Sequence, residues 1–256
     1  MEAAPPPDHP GITEAIASTP RQALAMTPWL AAVPAKMLDA LAEQSVLHRL
    51  PSGSLLFEQA ETPSFAQFLI SGRIQLLGVR GTDETLVELV RPVDLLLPAA
   101  VLNRQPYLLR ARVLEEAGLL LIQAEAFRQA VCTDHALCLA VLACQAAQFR
   151  RQVKHTKTVT LRSAEDRVGC FLVRLVDEAP SGSVVRLPLE KRLIASQLGM
   201  TRETLSRSLA AMPAHGLRVD GDRVILEDES LARSRFPLDP FIDGDEIVAP
   251  LPVGRR

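Results

Sequence analysis

The spacing of apolar residues changes twice along the chain. Between residues 28 and 50 they recur every three or four positions, which predicts a helix. From 51 to 122, short alternating or β-rich runs are separated by turn-forming residues, a pattern typical of a compact antiparallel barrel or sandwich. The runs comprise residues 54–57, 65–70, 72–79, 85–90, 93–97, 108–114 and 119–122.

Helical spacing returns after Gln123. It predicts a short helix at 124–131 and then a long one, capped by Thr133 or Asp134, that runs to about residue 158. The first half of the long helix is apolar on several faces, so it must bury more than one of them. We expect one face to lie on the barrel and another on a second copy of the chain.

The C-terminal part of the chain predicts a different order of elements. Ser163, followed three residues later by Asp166, resembles a capping box and starts a helix. A strand is predicted at 184–187, then two further helices, then a hairpin that turns at Gly221.

The composition is that of a globular protein with one strongly basic region. The chain has 256 residues, of which 48% are hydrophobic and 23% charged, enough for a sizeable core. Its net charge of −2 conceals a stretch at 150–220 with thirteen Lys and Arg against seven Asp and Glu. Of 28 basic residues 24 are Arg, whose planar fork suits phosphates and guanine edges. This distribution indicates a nucleic-acid-binding module fused to another domain.

Several protein classes are excluded by the sequence. No apolar run approaches the roughly 18 residues of a membrane span, and no secretory signal is recognisable at the N-terminus. We therefore expect a cytoplasmic protein without a membrane partner. The cysteines form no Cys-x-x-Cys pair, so no metal site is predicted, and we interpret them as small buried residues, with a redox role as the alternative. They are Cys132, Cys138, Cys144 and Cys170.

Residues 191–210 fit the geometry of a helix-turn-helix. Small Ala195 allows the two helices to approach closely, and Gly199 suits a turn that needs positive φ. Thr201 is a good N-cap for the second helix. The apolar residues expected between the helices are Leu198, Leu205 and Leu209.

The second helix of this pair has one polar face that bears arginines. At about 100° per residue, polar side chains gather on one side and leucines on the other. In the major groove of DNA, Arg binds guanine and Glu accepts a hydrogen bond from cytosine N4. The alternative is an ordinary helical hairpin with a charged surface. The predicted DNA-binding residues are Thr201, Arg202, Glu203, Ser206 and Arg207.

The sequence Arg-Glu-Thr-Leu-Ser-Arg at 202–207 resembles the recognition-helix signature of the cyclic-AMP receptor protein / fumarate-nitrate regulator (CRP/FNR) superfamily of bacterial transcription factors. Residues 50–57 and 68–72 resemble the glycine turns of its sensor domain. The resemblance implies an α+β fold with an N-terminal antiparallel, cupin-like β-roll, a long dimerisation helix and a C-terminal winged helix-turn-helix. The expected segments are a disordered arm at 1–24, the cyclic-nucleotide-binding-like sensor at 25–131, the dimerisation helix at 132–160, the DNA-binding domain at 161–230 and an irregular tail at 231–256.

The resemblance also implies a function. The protein would be a homodimeric transcription regulator rather than an enzyme, with double-stranded DNA as its partner and RNA polymerase as a further candidate. Glu203, Ser206 and Arg207 follow the fumarate-nitrate pattern, which implies a palindrome with half-sites close to TTGA or TTGAT. Pro213 departs from the family pattern and is expected to shorten the recognition helix.

The predicted sensor domain lacks the residues that bind cyclic AMP in relatives. Leu97 and Pro98 occupy the Gly-Glu position of that site, and Tyr107 or Leu108 the position of its phosphate-binding Arg. A cyclic phosphodiester without an Arg would be a poorly compensated buried anion, so we do not expect dependence on cyclic AMP. The iron–sulfur ligands of oxygen-sensing relatives are also missing, because the first cysteine follows the barrel. A rearranged effector pocket would comprise Leu97, Pro98, Tyr107, Leu108 and Arg110.

Three schemes of regulation remain open. In the favoured one the protein needs no cofactor and is either active without ligand, controlled by its own abundance, or responds to an unknown effector. In the second, an unidentified apolar ligand or haem occupies the barrel, with His48, His135 or His155 as axial ligand. In the third, the thiol of Cys170 gates DNA binding, although its apolar neighbours predict a buried and inert thiol. An enzyme on this barrel ranks last, since the sequence has no Ser/His/Asp grouping or Gly-rich phosphate loop.

Overall fold

The computed structural model describes residues 17–179, 184–246 and 248. In this part of the chain an N-terminal domain with a six-stranded antiparallel sheet is joined by a 27-residue helix to a C-terminal domain with a three-stranded sheet. The predicted α+β architecture, a β-roll followed by a long helix and a helix-turn-helix, is confirmed.

Short helices at the N-terminus cover one end of the β-roll. Trp29 stacks on Phe68 with ring centroids 5.7 Å apart, and Leu24 is fully buried. The prediction of a disordered arm is therefore wrong for residues 17–24, while residues 1–16 lie outside the described part. Pro20 stands in the first turn of a helix, where its missing N–H has no intrahelical partner to lose. The elements are α1 (Pro20–Ala25), a 3₁₀ helix (Pro28–Leu30) and α2 (Ala35–Glu43).

Residues 45–50 form a strand instead of the end of a helix. Strand β1 (Ser45–Leu50) pairs antiparallel with β6 (Arg110–Gln123), from Ser45 opposite Ile122 to Leu50 opposite Ala117. The helix predicted over 28–50 thus stops at residue 43. Residues 45–50 have helical apolar spacing, but pairing with the distant strand β6 outweighs it, because this pairing provides hydrogen-bond partners for their backbone groups.

Two long, bent strands dominate the β-roll. The strand order is β1-β6-β3-β4, with β2 also on β6 and β5 on β3. Strand β3 joins two of the predicted runs and bends at Gly72, where φ is +79° and a Cβ would lie 2.0 Å from the carbonyl oxygen of Glu116. Only glycine fits there. The strands besides β1 and β6 are β2 (Leu55–Phe57), β3 (Phe65–Arg80), β4 (Asp83–Val90) and β5 (Asp94–Leu95), and a helix that the sequence did not predict, α3 (Pro98–Asn103), follows β5.

Helices α4 (Ala124–Thr133) and α5 (His135–Leu161) connect the two domains. They meet at Asp134, whose side chain accepts a 2.8 Å hydrogen bond from the backbone N–H of Leu137. One face of α5 packs on the β-roll core. No single described helix is long and apolar enough to cross a membrane; α4 and α5 meet that criterion only as a pair, bent by 112°.

The C-terminal domain is a winged helix-turn-helix. The hydroxyl of Ser163 accepts a 3.1 Å hydrogen bond from the N–H of Asp166, as the capping box predicted. Sheet order is β7-β9-β8, and the last two strands form the predicted hairpin. The elements are α6 (Ala164–Asp177), β7 (Val184–Arg186), α7 (Lys191–Gln197), α8 (Arg202–Ala211), a 3₁₀ helix (Met212–His215), β8 (Leu217–Asp220), β9 (Arg223–Leu226) and α9 (Glu229–Arg235).

The C-terminal domain extends past its predicted end at residue 230. Helix α9 closes over α6, and Phe236 is 1% exposed within the domain core. A Cβ at Gly169 would lie 2.3 Å from the Phe236 ring, so this glycine makes room for the ring. The irregular tail predicted from 231 therefore begins after Phe236.

The cysteines divide into two pairs. Cys144 and Cys170 are buried, as predicted, whereas Cys132 and Cys138 are exposed. Burial raises the pKa of both buried thiols, which makes them poor nucleophiles.

Candidate nucleic-acid interface

The turn between α7 and α8 is built from a glycine and a side-chain cap. Gly199 has φ +62°, and the hydroxyl of Thr201 accepts a 3.2 Å hydrogen bond from the N–H of Thr204, which starts α8. The Arg167 guanidinium donates to the carbonyl oxygens of Leu198 at 2.6 Å and Gly199 at 3.0 Å. These contacts fix the angle between the two helices.

Helix α8 presents the predicted polar face to the exterior. All five predicted DNA-binding residues, Thr201 to Glu203 with Ser206 and Arg207, are exposed. Leu205, on the opposite side, is 2% exposed and packs on α6 and α7. The structure thus brings the five residues together on the first two turns of one helix.

The charges on this face suit a polyanion with hydrogen-bonding bases. Among the described residues neither Arg202 nor Arg207 forms an ion pair, and Arg207 donates only to the Thr204 hydroxyl at 3.4 Å. The pKa of Glu203 is lowered by its own backbone N–H and by the Thr201 hydroxyl. Glu203 is therefore an anionic acceptor at neutral pH, flanked by two unpaired cations.

Pro213 has the expected effect on helix length. Helix α8 ends at Ala211, and a 3₁₀ turn leads to Gly216, where φ is +77°. A Cβ at Gly216 would lie 2.4 Å from the carbonyl oxygen of Asp228, so the chain can turn here only with glycine. The predicted contact residues lie upstream: Thr201 is the N-cap of α8, and the other four lie within the helix.

Three exposed cations in the same domain were not singled out from the sequence. Lys191 and Arg192 open α7, and Arg223 begins β9 of the hairpin. No ion pair of these side chains is found among the described residues, whereas Arg218 of the hairpin pairs with Glu227 at 2.6 Å. The available signal in the sequence was their position at the start of a predicted helix or strand, and for Lys191 and Arg192 also the basic stretch at 150–220.

The residues of the predicted effector pocket separate into two groups. Tyr107 is 2% exposed and stacks on Phe57 with ring centroids 3.7 Å apart, and Pro98 is also buried. Gln67 Nε2 donates to the Tyr107 hydroxyl at 3.4 Å, and burial raises the pKa of Tyr107 to about 12. Leu97 is half-buried against the same core.

Leu108 and Arg110 do not join this group, which corrects the expectation for both. The side chain of Leu108 is 83% exposed. Arg110 Nε donates to Glu58 at 2.8 Å, and its guanidinium also pairs with Glu84. Leu108 lies in the bend before β6, and two carboxylates hold Arg110 at the surface.

Side chains fill the centre of the β-roll near Tyr107. The histidines proposed as haem ligands do not line it: His48 and His135 are exposed, and His155 lies near Arg167, which together with burial lowers the pKa of that imidazole. The residues therefore do not fit an axial haem ligand in this interior. No group of three or more potential metal ligands occurs in the part of the chain that the structure describes. The filling side chains are Phe57, Leu69, Ile74, Leu76, Val90, Leu96, Tyr107, Ala111, Val113, Ala117 and Leu119.

Comparison with known protein families agrees with both domains. The family described as "Crp-like helix-turn-helix domain" matches residues 166–233, and "Cyclic nucleotide-binding domain" matches residues 47–134. The chain belongs to the CRP/FNR superfamily. It is a transcription regulator with a DNA-binding helix-turn-helix, and members of this superfamily are generally not enzymes.

Individual members of the CRP/FNR superfamily are similar over most of the chain. The nitrogen fixation regulation protein FixK of Azorhizobium caulinodans is 24% identical over 210 residues, which is 78% of this chain and 82% of that protein. The structure of FixK2 from Bradyrhizobium japonicum shares the fold at 18% identity and a TM-score of 0.61, covering 74% of this chain and 96% of that one. The structure of the c-di-GMP responsive regulator CLP of Xanthomonas campestris has a TM-score of 0.61 at 20% identity, and the match covers 76% of this chain and 100% of that one.

Proposed function

We propose that the protein is a homodimeric regulator that reads a two-fold palindrome with TTGA- or TTGAT-type half-sites and does not depend on cyclic AMP. The observation that carries this proposal is the exposed face of α8, where Glu203 lies between two arginines that have no ion-pair partner in the described part of the chain. Arg207 would bind guanine through a bidentate contact and Glu203 would accept from cytosine N4. Thr201, Arg202 and Ser206 would complete the contact with bases or phosphates.

An apolar stripe on α5 supports the homodimer. Its members face away from the β-roll and follow one another at spacings of four, four, three and four, close to the 3.5-residue repeat of paired helices. Phe149 is 68% exposed and Leu142 is 54% exposed. Large apolar side chains in a contiguous exposed stripe indicate a protein interface. The stripe consists of Cys138, Leu142, Ala146, Phe149 and Val153.

The filled β-roll supports independence from cyclic AMP. Tyr107 occupies one of the two candidate positions for the phosphate-binding Arg and is packed on Phe57. Arg110, three residues after Tyr107, is held by Glu58 and Glu84. A phosphodiester in this interior would displace apolar side chains and gain no cationic partner.

Selection of bound DNA from a random pool tests this function. We expect enrichment of a palindrome whose half-sites are about 34 Å apart along the duplex, unchanged by cyclic AMP or by a reductant. Enrichment that requires cyclic AMP would reject the effector-independent scheme, and the absence of any enriched sequence would reject base reading. The purified protein should also lack a Soret band, since a haem spectrum would favour the ligand-sensing scheme.

A further inference from the structure

The segment after α9 runs from the winged domain back along α5. Phe236 anchors its start in the domain core, with the Arg235 guanidinium 4.8 Å above the ring and the His215 ring 5.4 Å from it, edge to face. Leu238 packs on the same core. At the far end, Val248 packs on the core of the sensor domain. Residues 237–246, here termed the clamp, therefore lie between two fixed points in different domains.

The middle of the clamp is a hydrogen-bonded turn. The N–H groups of Ile242 and Asp243 donate to the carbonyl oxygen of Asp239 at 2.9 and 2.7 Å, and the Asp239 carboxylate accepts from Phe241 N–H at 2.8 Å. A Cβ at Gly244 would lie 2.7 Å from the carbonyl oxygen of Pro240, so the turn closes on a glycine.

A bidentate ion pair joins this turn to the end of the long helix. The two terminal nitrogens of Arg162, the residue that follows α5, donate to the two carboxylate oxygens of Asp243 at 2.6 Å each. The side chains are only 11% and 12% exposed. Burial opposes ionisation of Asp243, but the bonds from Arg162 lower its pKa overall. Such a fork fixes both distance and direction between the partners.

A second ion pair lies two turns earlier on α5. The Glu246 carboxylate forms ion pairs with Arg150 Nε at 2.7 Å and with Lys154 Nζ at 2.5 Å. These two cations lower the pKa of Glu246 to about 2. The Lys154 ammonium also donates to the carbonyl oxygen of Gly244 at 2.6 Å, and Lys157 to that of Phe241 at 3.2 Å. The basic half of α5 is thus matched by an acidic segment over about three turns.

The sensor domain also contacts the winged domain directly. The N–H of Leu86 in β4 donates to the Ser196 hydroxyl of α7 at 2.7 Å. Arg73 in β3 donates to the carbonyl oxygen of Pro188 at 3.3 Å. The winged domain is therefore held at two separate places, while Arg202 and Arg207 stay exposed.

We propose that the clamp holds the winged domain on the long helix in the arrangement that binds DNA. The closed clamp does not cover the recognition face, so its effect is to fix the tilt of that face relative to the dimer axis. In a ligand-switched regulator this orientation is set by the effector, and here the chain's own carboxylates supply it. The claim that this arrangement binds DNA rests on the proposed function.

The test compares the full-length double variant Asp243→Asn, Glu246→Gln with the matched control Asp245→Asn. Asp245 lies in the same segment, is exposed, and has no ion pair among the described residues. Hydrogen exchange at the amides of Ile242 and Asp243 reports the clamp, and binding to the selected palindrome reports DNA affinity. In the double variant we expect faster hydrogen exchange at these amides and about tenfold weaker binding to the palindrome. The factor of ten corresponds to a fall in the population of the DNA-binding arrangement to about a tenth. The control should match the wild type in both.

The two readouts separate the possible failures. Unchanged exchange in a folded double variant would overturn the clamp itself. Faster exchange with unchanged or tighter palindrome binding would overturn its role in DNA binding. If the wild type binds no specific DNA, the proposed function fails, and the exchange measurement still decides whether the clamp exists.

Discussion

Arg151 of α5 and Asp94 of β5 form an ion pair across the boundary between the long helix and the β-roll. The same guanidinium donates to Glu88 of β4 at 3.1 Å, and Gln148 donates to Asp94 at 2.9 Å. Two carboxylates therefore share one half-buried cation. Burial, reinforced by the charge of Asp94, raises the pKa of Glu88 even though Arg151 acts against it. This network couples the sensor sheet to α5 without any ligand.

The first prediction concerns the pH dependence of this network. Because the pKa of Glu88 is higher in the folded state than in the unfolded chain, the folded state binds the Glu88 proton more tightly. The associated stability is present below about pH 4 and is lost as the pH rises through the raised pKa. We expect the free energy of unfolding of the wild type, relative to Glu88→Gln, to fall as the pH rises from about 4 through the raised pKa of Glu88, measured by chemical denaturation.

Glu84 provides a control of opposite sign. Its pKa is lowered, chiefly by the hydrogen bond from Arg112; burial opposes this shift, and Arg110 adds to the lowering. Relative to Glu84→Gln, the wild type should therefore gain stability as the pH rises from acid towards 7. If the free energy of unfolding of the wild type changed with pH in the same way relative to both variants, Arg151 could not be the cation that Glu88 and Asp94 share.

The second prediction concerns base reading by α8. Arg207→Ala should weaken binding to the selected palindrome by about 1–3 kcal/mol for each half-site, which is roughly five- to 150-fold per half-site, with a much smaller loss on random DNA. A fluorescence anisotropy titration at fixed salt measures both affinities. Arg49→Ala removes an exposed arginine from β1 of the sensor domain and should leave both unchanged. Equal losses on both DNAs for Arg207→Ala would reject a base contact.

The third prediction concerns the stripe on α5. Phe149→Glu places a charge in the proposed helix pair, so the protein should become monomeric and lose palindrome binding while its helical content stays unchanged. Sedimentation and circular dichroism measure these quantities. Leu108→Glu, at a side chain that is 83% exposed on the sensor domain, is the matched control and should remain dimeric. A dimeric Phe149→Glu protein would place the interface elsewhere.

Local chemistry explains which parts of the fold could be predicted from the sequence. The recognition helix depends on a cap at Thr201 and a positive φ at Gly199, and both signals lie within a few residues of the element they define. The start of α6 at Ser163 is equally local. Such signals act through hydrogen bonds between close neighbours, so a single sequence contains them.

The elements that were missed depend on partners far away in the chain. Residues 45–50 become a strand because β6 lies beside them, more than sixty residues later. Asp243 is held by Arg162 and Glu246 by Arg150, separations of 81 and 96 residues, so no local pattern indicated the clamp. Tertiary contacts decide these positions.

The last prediction concerns the stacked pair in the β-roll. If Tyr107 is a structural filler, Tyr107→Ala should lower the free energy of unfolding by about 3–5 kcal/mol, because it leaves a cavity against Phe57. Tyr107→Phe keeps the ring and loses only the long 3.4 Å bond from Gln67, so it should cost at most about 1 kcal/mol. Chemical denaturation of both variants gives the two values, and their palindrome binding should be equally insensitive to cyclic AMP. A Tyr107→Phe protein as unstable as Tyr107→Ala would mean that the hydroxyl, and with it a polar site around Gln67, matters more than packing.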